Sequence, residues 1–133
     1  MSAERALAAA LRDAALLDAS VAALVSQRIY DEPPPDAVFP YVTLGRVETR
    51  SAEASASAAL EHAVTLHVWS RYGGRAEALS IIAALRAALH NAALTLDGFK
   101  LVLLLAQFAD VFRSGDGRTT HGVLRLKAIT EPQ

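Results

Sequence analysis

Residues 61–89 constrain this chain more than any other stretch: EHAVTLHVWSRYGG followed by RAEALSIIAALRAAL, which reads as a strand, a glycine pair and a helix. From His62 to Ser70 the residues alternate, with Val64, Leu66 and Val68 on one side and Ala63, Thr65, His67 and Trp69 on the other. Period two with β-branched residues predicts a strand with one strongly apolar face. Gly73 and Gly74 tolerate the dihedrals that a sharp strand-to-helix turn needs. Leu79, Ile82, Leu85 and Leu89 then recur at helical spacing, which leaves Arg75, Glu77 and Arg86 for solvent. A strand and a helix joined this way must bury their apolar sides together, so this unit is expected at the centre of the core.

The rest of the chain builds around it. Ser2 is placed to cap a first helix, whose inward stripe is expected to be Leu7, Leu11, Ala14 and Leu17. Asp18 or Ser20 can cap a second short helix over 21–25, and Ile29 with Tyr30 forms a short extended piece. Pro33, Pro34 and Pro35 exclude regular structure there. A first long strand is expected over 41–48, and a Ser/Ala-rich loop, TRSAEASASAA, over 49–59. After the central helix, 94–96 is read as a short strand. The run over 101–105, extended by Phe108, Val111 and Phe112, is a strand apolar on both faces that needs cover on both. Ser114, Gly115, Asp116 and Gly117 predict a hairpin turn. The returning strand, 119–129, puts Leu124, Leu126 and Ala128 inward and Arg125 and Lys127 outward, as suits a strand near an edge. The expected fold is one α+β domain over 1–133: a mostly antiparallel sheet of about four strands packed with an N-terminal helix and a central helix.

Composition narrows the function classes. The chain has 133 residues, enough for one core without staples, and no cysteine, so disulfides and thiolate metal sites are excluded. Thirteen basic and fourteen acidic residues give a formal charge of -1, with no field favouring nucleic acid or an anionic membrane. No apolar run reaches the roughly 18 residues of a membrane span. The alanine-rich start is broken by Arg12 and Asp13, which argues against a signal peptide, and the lack of cysteine fits a reducing cytosol.

No catalytic set emerges. His62 and His67 are five apart on a strand and face opposite ways, so they cannot share a metal. His90 ends a helix and His121 starts a strand; all four histidines are read as exposed or capping. The serines of the loop lack a nucleophile elbow. Asp110 and Asp116 could approach across the last hairpin, though turn and surface roles are favoured. Gly73 and Gly74 lack the spacing of a phosphate loop. Trp69 and Tyr72 flank the strand end, where packing under the first helix or against a partner outweighs a ligand platform. The arginines are dispersed, without a stripe for reading nucleic acid. The expectation is a protein that is not an enzyme and has no cofactor, no metal and no membrane contact.

The order of features carries a resemblance. An amphipathic helix leads to RIYDEPPPDAVFPYVTLG, then a polar loop, then LHVWSRYGGRAEALSIIAALRAAL, then THGVLRLKA. This resembles the tail-completion family of long-tailed phages and gene transfer agents, the tail terminators or head–tail joining proteins. The resemblance implies an α+β subunit that forms a ring, usually sixfold, as a homo-oligomer. The ring would cap the tail tube, stop its polymerisation, and offer a surface to the head connector protein. It implies residence at the head–tail junction of a particle, with assembly in the bacterial cytoplasm, and no catalytic residues. The family's loop between its first long strands corresponds to 49–59, which makes Thr49, Arg50, Ser51, Glu53, Ser55 and Ser57 the expected contacts with other proteins, together with Arg113, Asp116 and Arg118 of the last hairpin. Alternatives are another connector or minor tail protein, or a small α+β module binding a ligand near Trp69.

Overall fold

The computed structural model describes residues 1–52 and 58–133. Glu53, Ser55 and Ser57, three of the expected contacts, lie outside the described residues. The elements run α1 (Ala3–Leu17), α2 (Ala19–Val25), β1 (Ile29–Tyr30), β2 (Tyr41–Ser51), β3 (Leu60–Ser70), α3 (Ala76–Leu89), β4 (Phe99–Arg113) and β5 (Thr120–Pro132). Among the described residues the strands form a five-stranded sheet in the order β1-β2-β3-β5-β4. Every pairing is antiparallel except β1 with β2. The α+β expectation holds; the fifth strand is β1, whose two residues pair in parallel with Val42 and Thr43.

α1 starts where its cap predicts, while α2 starts at Ala19, two residues before the expected 21. Ser2 Oγ accepts from the Arg5 amide at 3.1 Å, and Asp18, rather than Ser20, accepts from the Val21 amide at 3.0 Å. Both inward stripes are rotated from the expected ones. α1 buries Ala3, Ala6, Leu7, Leu11 and Ala15, while Leu17, in the last turn, is 85% exposed. α3 buries Ala78, Ile81, Ile82, Leu85 and Leu89, while Leu79 is 52% exposed. Spacing alone fits either stripe. Buried alanines at 6, 15 and 78 leave no bulk between helix and sheet, and so let the backbone approach. Glu77, expected in solvent, is half-buried and accepts from Ser70 Oγ at 2.7 Å, tying the end of β3 to the first turn of α3.

The strands also depart from the expected limits. β2 runs on to Ser51 instead of ending near Glu48, because Thr49, Arg50 and Ser51 pair with His62, Glu61 and Leu60. No strand forms over 94–96; Leu96 makes a single bridge to Phe99. β5 lies inside the sheet, between β3 and the edge strand β4. Its outward cations are satisfied, Arg125 over the Phe108 ring and Lys127 by Glu61. β4 is the edge, and its register shifts twice, between Leu101 and Leu103 and between Ala106 and Phe108.

All three helices pack on one side of the sheet. Leu7, Leu11, Val21, Val25, Ile81, Leu85 and Leu89 meet Val42, Val64, Leu66, Val68, Leu124 and Leu126 in one core. The alternation along β3 and β5 dictates this, since Val64, Leu66, Val68, Leu124, Leu126 and Ala128 share one face. Among the described residues β4 lacks the full cover expected: Val102, at a register shift, is 49% exposed, and Phe108 and Phe112, level with Arg125 and His121, are 45% and 41% exposed.

Candidate interaction surface

The uncovered face of the sheet carries an ordered aromatic row. Tyr41 of β2 is in register with Trp69 of β3, Trp69 with His121 of β5, and His121 with Phe112 of β4. Direct cross-strand neighbours stand close enough for rings to touch. The ring centroids are 6.5 Å apart for Tyr41 and Trp69, 4.0 Å for Trp69 and His121, and 4.9 Å for His121 and Phe112. Tyr30 of β1 and Phe39 extend the row at 5.9 and 5.1 Å from Tyr41. The row therefore crosses the whole sheet. Trp69 Nε1 donates to Thr43 Oγ1 at 3.0 Å, which ties the indole to β2.

The next rows continue the surface. His67 Nδ1 and His121 Nε2 share a hydrogen bond of 2.8 Å. The His67 ring lies against Gly45, where a Cβ would stand 2.5 Å from Nε2, so glycine permits the ring to lie there. The Arg125 guanidinium sits 4.7 Å from the Phe108 centroid, and Lys127 pairs with Glu61 at 3.8 Å. Arg125 and Lys127 thus have partners within the chain, beside the row of rings. Burial holds the His67 imidazole below its ordinary pKa. For His121 burial acts first and the neighbouring His67 second, with Asp110 opposing both.

The expectation of exposed or capping histidines is corrected for three of the four. His67 and His121 form the pair just described. His62, on the helix side, is fully buried, bridged to Thr49 Oγ1 and to Thr130 Oγ1 at 2.9 Å each, and burial lowers its pKa. His90 does cap α3, and its Nδ1 accepts from the Ala106 amide at 3.0 Å. Trp69 does not pack under the first helix; it is half-buried on the opposite face, and Tyr72 is 70% exposed.

The expected contact residues fall into two groups. Thr49, Arg50 and Ser51 are exposed at the end of β2, where the sheet begins its pairing with Leu60 and Thr130. Arg113, Asp116 and Arg118 gather at the β4–β5 turn, at the opposite end of the sheet, where Ser70 pairs with Thr120. There Asp116 accepts from the Thr119 amide at 2.8 Å, the Arg118 amide at 2.9 Å and Thr119 Oγ1 at 2.8 Å. These bonds, led by the Thr119 amide and helped by Arg71, lower its pKa to about 2. Arg113 donates to the Gly117 carbonyl at 2.8 Å, and Arg71 stands 3.8 Å from Asp116. Asp110 and Asp116 do not meet, since Asp116 is tied into its own turn while Asp110 lies level with Val123.

Sequence reasoning placed Trp69 and His67 on one side of β3 but missed the row, whose members come from five separate strands and share no local spacing. No cluster of three or more metal-ligating side chains occurs among the described residues. No helix among them is long and apolar enough to cross a membrane.

Comparison with known proteins places this geometry. The family model for tail completion protein gp17 matches residues 6–131. Tail completion protein gp17 of Bacillus phage SPP1 is 30% identical over 102 residues, covering 75% of this chain and 74% of that protein. A chain in the virion of a native gene transfer agent particle superposes with a TM-score of 0.91 at 30% identity, covering 98% of each chain. The structure of bacteriophage SPP1 gp17 superposes with a TM-score of 0.65 at 28% identity, covering 95% of this chain and 89% of that one.

Proposed function

We propose, from the premise that this chain belongs to the family of tail completion protein gp17, that it is a structural subunit which completes the tail of a phage or gene transfer agent particle. It is not an enzyme. Copies of the chain form a ring, sixfold in this reading, that caps the tail tube, ends its polymerisation and joins it to the head connector.

The observation that carries this reading is the uncovered aromatic face. A monomer leaves Phe108, Phe112 and Val102 each more than two-fifths exposed on or beside one sheet face. Contiguous apolar surface of this kind marks contact with another protein. Lys127 and Arg125 on this face are engaged within the chain, by Glu61 and the Phe108 ring, so the aromatic part of the surface fits a second copy better than a strongly charged partner. Neighbouring subunits in the ring supply the cover that β4 lacks.

The two groups of expected contact residues suit a subunit that must meet two further partners. We assign Thr49, Arg50 and Ser51, with Glu53, Ser55 and Ser57 of the same connection, to the tail tube protein. Arg113, Asp116 and Arg118, at the other end of the sheet, are assigned to the head connector.

Electron microscopy of particles made with and without the gene tests the reading. The expected result is a ring of density at the head-proximal end of normal tails, and overlong or headless tails when the gene is deleted. Normal particles without the gene, or density elsewhere on the tail, would overturn it.

A further inference from the structure

We infer that His67 and His121 work as a one-proton pair: they hold a single proton between them, and entry of a second parts the rings and unstacks Trp69. The inference concerns the chain itself and does not depend on the ring.

The geometry forces the count. A nitrogen-to-nitrogen distance of 2.8 Å is a hydrogen bond with one N–H directed at one lone pair. Two neutral rings satisfy it. One neutral ring and one imidazolium satisfy it better, because a charged donor strengthens the bond. Two imidazoliums cannot, since each facing nitrogen then carries a proton and the rings repel.

The surroundings decide which ring moves. His67 has no room toward β2, because its Nε2 already lies over the Gly45 backbone. His121 is the ring free to yield, and it lies stacked at 4.0 Å on Trp69 with Phe112 at 4.9 Å on its other side. Movement of His121 therefore opens the aromatic row at its centre.

The groups facing the pair do not compensate a second charge. From β4 comes one carboxylate, Asp110, which favours protonation of His121. From β2 come Tyr41, the Thr43 hydroxyl and the Gly45 backbone, and from β3 Thr65 and Trp69, all without charge at neutral pH. From β5 comes Arg125, a further cation, held over Phe108. Arg71, beyond Trp69, is held between Phe39 and Asp116. The helices pack on the other side of the sheet. One carboxylate thus stands against two prospective imidazoliums and an arginine.

Trp69 is the only tryptophan in the chain, so its emission reports this site alone. A protonated imidazole stacked on an indole quenches its emission. In an acid titration of the full chain, the first proton should quench Trp69, and the second should restore and red-shift the emission as the rings part. Imidazole NMR of the same sample should give His67 and His121 two apparent midpoints separated by more than about one pH unit, as coupled sites do. His67→Gln and His121→Gln each leave one histidine in the pair, and each should remove the second fluorescence step. If His67 and His121 titrate with a common midpoint in the wild-type protein, or if either variant keeps the second step, the inference is wrong. Should a variant fail to fold, the wild-type NMR titration decides alone.

Discussion

The indole of Trp69 lies face to face with the imidazole of His121, 4.0 Å between centroids and 16° from parallel, on the side of the sheet that no helix covers. This contact joins β3 to β5 through side chains as well as through the backbone ladder, and it sits at the middle of the aromatic row.

Its position sets the cost of removing it. A core tryptophan replaced by alanine costs about 3–5 kcal/mol. Trp69 is only half-buried, and the substitution loses its ring contacts with His121, Tyr41 and His67 and one hydrogen bond, to Thr43. Trp69→Ala should therefore destabilise the isolated chain by about 2 kcal/mol. Denaturant melts followed by circular dichroism measure this. A loss of 4 kcal/mol or more, on the order of a full core deletion, would show that the site behaves as core.

Two glycines in the sheet should respond differently to alanine. At Gly45 the new Cβ would stand 2.5 Å from His67 Nε2 and 2.9 Å from the Thr65 carbonyl oxygen, and backbone cannot swing away. Gly45→Ala should cost about 1–3 kcal/mol and displace His67. At Gly122 the contacts are 3.1 Å to Val68 Cβ and 3.3 Å to Ile82, side-chain atoms able to give by tenths of an ångström. Gly122→Ala should cost less. Melting curves of the two variants compare them directly, and the reverse order would refute the packing described for His67.

Asp116 organises the β4–β5 turn by accepting from Thr119 and Arg118, and its pKa falls from 3.8 to about 2. The unfolded chain therefore binds a proton at higher pH than the folded chain does. The stabilising contribution is fully present above the unfolded value and is lost as pH falls through the folded one. Between pH 4 and about 2 the melting temperature of wild type should fall more steeply than that of Asp116→Asn, which has no carboxylate to protonate. Parallel slopes for the two proteins across that range would show that the turn does not depend on the charge.

On the open face, Phe108 and Phe112 are 45% and 41% exposed, with Phe108 under Arg125 and Phe112 against His121. Phe108→Asp with Phe112→Asp should leave the fold intact, with a stability loss of about 1–3 kcal/mol. The same pair should abolish association of the chain with itself, because an unpaired carboxylate would then be buried in the contact. Analytical ultracentrifugation in the presence of purified tails, with electron microscopy of the product, reads both. Normal ring formation by the double variant would place the contact elsewhere on the chain.

The connection over residues 49–59 consists of small and polar residues, so shortening it to a Gly-Ser turn should change monomer stability by no more than about 1 kcal/mol. Thr49 qualifies this, because its hydroxyl bonds His62; the shortened chain must keep residues 49–51 and 60–62. Tails made with such a chain should be uncontrolled in length or fail to join heads. If the shortened chain folds and tails still finish normally, the connection is not the contact with the tube.

By itself the sequence determined which face of each central strand is apolar, where α1 begins, and that a glycine turn joins β3 to α3. Those properties are local: a two-residue period, a side-chain oxygen three residues before an amide, a backbone that accepts positive φ at Gly73. Spacing could not choose between Leu79 and Ile81 for the inward face of α3, because both fit a helical stripe and only the depth at which Ala78 lets the helix seat on the sheet selects one. Nor could it place β5 inside the sheet, bury His62 between two threonines, or bring His67 to His121 across 54 residues of chain. Tertiary structure decided these, since strand order and register are set by pairing between distant segments. A side chain's neighbour across a sheet follows from that register and leaves no trace in the spacing along one strand.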